Sequence, residues 1–64
     1  MSNMVDIEVQ DQFGSWIHLR KVHNNPPSIK LALEAALDTQ LAAKSKKARA
    51  LDASTGQMID MAFG

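Results

Sequence analysis

His18 and His23 are the side chains best suited to acid–base work or metal ligation, and they stand five residues apart. On a strand spanning 16–23 an odd separation points them to opposite faces, so one ion cannot be held by both. Asp6 and Glu8 are the only neighbouring carboxylates on a predicted strand face. Such a pair divides into acid and base only where a cleft splits its pKa values, and an outer strand face supplies none. They read as solubilising, edge-protecting charges. No serine sits in a Gly-x-Ser-x-Gly elbow, Gly14, Gly56 and Gly64 are isolated, and cysteine is absent, so nucleophile, phosphate-loop and thiolate signatures are missing. The expectation is a non-enzyme with no catalytic residue, no metal site and no cofactor.

The residues of recognition are better represented. Lys44, Lys46, Lys47 and Arg49 place four cations within six positions. They could clamp phosphates, with Trp16, His18 and Arg20 offering a stacking platform of the sheet type used by RNA binders. Against this, seven basic and seven acidic residues cancel, and a basic run at a helix end also complements the helix dipole. Nucleic-acid binding is therefore the alternative reading. Met58, Ile59, Met61 and Phe63 form a second concentration. Methionine adapts to irregular surfaces, so this strand suits docking by strand addition as well as filling a small core.

The elements that position these residues follow from periodicity. Residues 28–43 read as the one long helix, with Ile29, Leu33, Ala36, Leu37, Gln40 and Lys44 recurring at three- and four-residue steps. The Asn24-Asn25-Pro26-Pro27-Ser28 run sets its start at 27–29, with Ser28 or Asn25 as N-cap. Lys44 to Lys47 is the expected end. Leu31, Ala35 and Ala42 gather on the far side of the cylinder, wider than one buried stripe needs, and nominate Leu31 for contact with another chain.

Residues 4–10 alternate Val5, Ile7 and Val9 against Asp6, Glu8 and Gln10, a strand with one buried face. The run around Gly14 reverses the chain into a second strand, 16–23. There Ile17 and Leu19 are expected on the helix, sharing a face with Lys21 and His23, while Trp16, His18, Arg20 and Val22 take the other. Ala48–Asp52 and Met58–Phe63 flank Thr55-Gly56 as a second hairpin. Alanine is a poor strand former, which leaves a rival in which the helix continues through Ala50 or Leu51.

The predicted fold is α+β, β-β-α-β-β: a single domain, 1–64, with a four-stranded, mostly antiparallel sheet and one helix packed on one face. A chain of 64 residues without cysteine has a thin stability margin, which oligomerisation commonly relieves. The N-terminus lacks a basic stretch followed by an apolar run, and no segment approaches the ~20 apolar residues of a membrane span. The chain therefore reads as a soluble, cytoplasmic interaction module with no membrane role. It is expected to self-associate or to bind another protein through the open sheet face or an edge strand, using Trp16, His18, Arg20 and Met58, or the helix at Leu31.

Overall fold

The computed structural model describes residues 3–39 and 47–64. Its elements are β1 (Met4–Gln10), β2 (Trp16–His23), α1 (Pro26–Leu37), β3 (Lys47–Asp52) and β4 (Met58–Phe63). The strands form one antiparallel sheet in the order β2-β1-β3-β4. The helix packs on one side of it, which is the predicted β-β-α-β-β architecture. Val5, Ile7 and Val9 are fully buried, as their alternation requires. Because β1 is flanked by β2 and β3, Asp6 and Glu8 stand mid-sheet and not at an edge, contrary to the edge-protecting role expected of them.

Strict alternation fails in β2. Ile7 pairs with Arg20 and Glu8 with His18, so Leu19 is an extra residue, a β-bulge. A bulge reverses the side on which later residues point. Ile17 and Leu19 before the reversal and Val22 after it all pack on the core. Val22, expected on the open face, is thereby moved inward. Arg20, also expected there, stands opposite buried Ile7 and so shares the helix side. Lys21 and His23 pair with Asp6 and Met4, and so take the uncovered side. The two histidines, expected on opposite faces, thus share one.

The helix is shorter than expected and begins earlier. Both prolines occupy its first turn, where a missing N–H costs nothing. Asn25, in extended geometry, caps it by accepting from the Ser28 N–H at 2.9 Å, so of the two candidates Asn25 is the N-cap. At the other end the Asp38 and Thr39 amides donate to Ala35 and Ala36 carbonyls at 3.2 Å. The Thr39 hydroxyl also donates to the Ala36 carbonyl at 3.0 Å. These tightened bonds absorb carbonyls that further helix would have used. Helix therefore stops at Leu37, and Gln40 to Lys46 lie outside the described residues. No basic side chain occupies the last turn. Lys47, expected at the helix terminus, opens β3, and the rival continuation to Leu51 is overturned because 47–52 is strand.

Ala48 and Ala50, poor strand formers by propensity, are fully buried in β3 beside Val9 and Ile7. The core cluster also takes Ile29, Ala32, Leu33 and Ala36 from α1. Small residues on facing elements let the helix lie close to the two central strands, and this packing outweighs intrinsic preference. Both hairpins reverse by one device. An aspartate at the loop start accepts amide hydrogens, Asp11 from Phe13 and Ser15 and Asp52 from Ser54 and Thr55. Gly14 and Gly56 supply positive φ of 84° and 76°.

Candidate interaction surface

The side of the sheet away from α1 is read directly from the registers, because cross-strand partners share a side. One row runs Lys21, Asp6, Leu51, Met58, and the next runs His18, Glu8, Arg49, Met61. A third pairs Lys47 with Phe63. Polarity is therefore graded across the surface: charged over β2 and β1, apolar at β4.

The charged part is internally paired. Arg49 Nε donates to Glu8 Oε1 at 2.7 Å, and its Nη2 stands 2.7 Å from the same oxygen. The guanidinium carbon also sits 4.1 Å from the centre of the Trp16 ring, so Arg49 spans β1 from β3 to β2. His18 Nε2 lies 3.0 Å from Asp6 Oδ1. The Arg49–Glu8 pair is largely withdrawn from solvent, with side chains 27% and 18% exposed. An ion pair of this kind contributes on the order of 0.2–1 kcal/mol, and a cation–π contact about 0.5–1 kcal/mol more. The centre of the surface is thus a satisfied polar network that would resist burial against an apolar partner.

The apolar part is not satisfied. Met58 is 54% and Phe63 65% exposed, with Leu51 and Met61 half-buried beside them. All but Leu51 lie on β4, which ends the sheet and has no strand on its outer side among the described residues.

The residues nominated from sequence are divided by the fold. Trp16 and His18 stand on the uncovered side at β2, Met58 on the same side at β4. Arg20 and Leu31 fall on the helix side, where they line an open groove of about 520 Å³ with Ala32 and Ala35. Of the four basic residues, Arg49 is engaged by Glu8 and Trp16, Lys47 stands beside Phe63, and Lys44 and Lys46 lie outside the described residues. Sequence reasoning put Glu8 on a solvated strand face and named Met61 and Phe63 in a strand suited to docking, but it missed Leu51. Strand pairing supplies Leu51 and shows which side Met61 and Phe63 take.

Among the described residues no group of three or more His, Cys, Asp or Glu could hold a metal ion. No helix there is long and apolar enough to cross a membrane. Comparison with protein-family models, curated proteins and solved structures returns no match.

Proposed function

We propose that the chain is a non-enzymatic interaction module that self-associates through the β4 side of its uncovered sheet face. The observation that supports it is the apolar strip of Leu51, Met58, Met61 and Phe63 on β3 and β4, with no strand on the outer side of β4 among the described residues. Contiguous exposed apolar surface next to an edge is characteristic of docking sites. A cytoplasmic location belongs to the same reading, since a cysteine-free chain is compatible with a reducing compartment.

Nucleic-acid binding draws less support, because Arg49 already spends its guanidinium on Glu8 and Trp16. Leu31→Glu and Met61→Glu test the choice of surface by light scattering at micromolar concentration. The proposal expects Met61→Glu to shift the protein to monomer and Leu31→Glu to leave it associated. The reverse pattern would assign the interface to the helix.

A further inference from the structure

We infer that the partner is a second copy of this chain, joined edge to edge along β4 about a two-fold axis through Ala62, so that two sheets become one. The inference rests on the self-association proposed above. Of the two sheet edges among the described residues, β4 is bulged only at Ile59, clear of 61–63, whereas β2 carries Arg20, Lys21, two histidines and a bulge at mid-strand. These features keep edges apart, and two such edges would bring cations together. The β4 edge has no lysine, arginine or proline, and its one charge is Asp60. That carboxylate already accepts the Met61 amide hydrogen at 2.8 Å.

The register follows from the pleat. A two-fold axis perpendicular to the sheet preserves sides, and opposed residues share a side, so the axis must fall on a residue and not between two. An axis at Asp60 would oppose two carboxylates. One at Met61 would set Ile59 against the second copy's Phe63. The bulge at Ile59 turns that side chain toward the helix, beside Pro26 and Ile29, while Phe63 shares the uncovered side with Lys47. One at Phe63 would set Ala62 against Gly64, a pair that buries little apolar surface.

An axis at Ala62 avoids all three faults. The small Ala62 meets its own copy on the helix side, and on the other side Met61 faces Phe63 twice. Within each chain Phe63 adjoins Lys47 and Met61 adjoins Arg49, so the cations stay one strand back from an apolar seam. Pairing closes both unguarded edges and leaves only the guarded β2 edges outside, which stops assembly at two.

The chain has no cysteine, so single-cysteine variants report the seam under mild oxidation. Directly opposed residues have Cβ atoms about 4.5–5.5 Å apart and diagonal ones about 7–8 Å, beyond disulfide reach. Ala62→Cys is expected to cross-link to itself. Met61→Cys and Phe63→Cys should each cross-link poorly alone and readily as an equimolar mixture. Met61→Glu should raise the dimer dissociation constant at least about tenfold with unchanged far-UV circular dichroism. Wild-type hydrogen exchange needs no substitution: those amides of 61–63 that point to the seam, alternate ones along the strand, should slow as concentration rises.

A sample that scatters as a dimer yet gives none of these cross-links, or links best through Met61→Cys alone, would overturn the Ala62 seam and leave self-association standing. Growth beyond two copies would also overturn it, in favour of head-to-tail pairing of β4 with β2. A monomer at every concentration would remove both the seam and the reading beneath it.

Discussion

Arg49 is the residue on which the uncovered face turns, because it neutralises Glu8 and lies over Trp16 at once. Arg49→Ala should therefore cost about 1 kcal/mol or somewhat more, since it removes both contacts and leaves a largely withdrawn carboxylate unpaired. Arg49→Lys should recover less than half, because an ammonium cannot donate twice while stacking. Urea denaturation followed by Trp16 fluorescence measures both. A loss below the noise for Arg49→Ala would show the network to be ornamental.

Asp52 gives a pH signature at the same scale. Hydrogen bonds from the Ser54 hydroxyl and amide, with smaller help from Thr55, hold its carboxyl below the ordinary 3.8. A group depressed in the folded state stabilises above its unfolded value, and that share is lost as pH falls through the folded one. Wild type should consequently lose more stability than Asp52→Asn when pH is lowered from neutrality to below 3.8. Equal losses, read from denaturation midpoints at the two pH values, would contradict this role.

Among the elements, β1 and the hairpin turns were the most legible in the sequence, since alternation and Asp-Gly chemistry act locally. The β2 faces were not. Counting by twos from Trp16 assigns Arg20 and Val22 wrongly because one extra residue, Leu19, reverses the pleat, and nothing local to WIHLRKVH marks where. The helix end was hidden differently: Ala and Lys after Thr39 satisfy helix propensity, whereas the chain stops at bonds made by Asp38 and Thr39 to the preceding turn.

Two element-scale substitutions test these causes by thermal or chemical denaturation. Ala50→Leu should destabilise by about 1–3 kcal/mol through overpacking beneath α1, although leucine suits a strand at least as well as alanine. Asn25→Ala should cost about 1 kcal/mol by removing the cap on Ser28. A neutral Ala50→Leu would mean that the helix does not press on β3 as closely as complete burial of that alanine implies.

At the scale of the described residues together, α1 over one side of the four strands leaves a surface whose chemistry changes from β2 to β4. Composition predicted that some apolar surface would be left over, yet it assigned the partner-facing residues to both ends of the sheet. Only the pairing shows that Trp16 belongs to a satisfied network and Met58 to an unsatisfied strip. Nine buried residues among those described, four of them alanine, make a small core, and a marginal monomer gains stability from any partner that binds only the folded form. Apparent melting temperature should therefore rise with protein concentration in wild type and not in Met61→Glu.

Sedimentation velocity of the wild-type chain from low to high micromolar concentration tests self-association through β4 most directly. The expected result is a shift from one to two chain masses that Met61→Glu abolishes and Leu31→Glu leaves in place. A folded wild-type protein that sediments at a single chain mass throughout would contradict it.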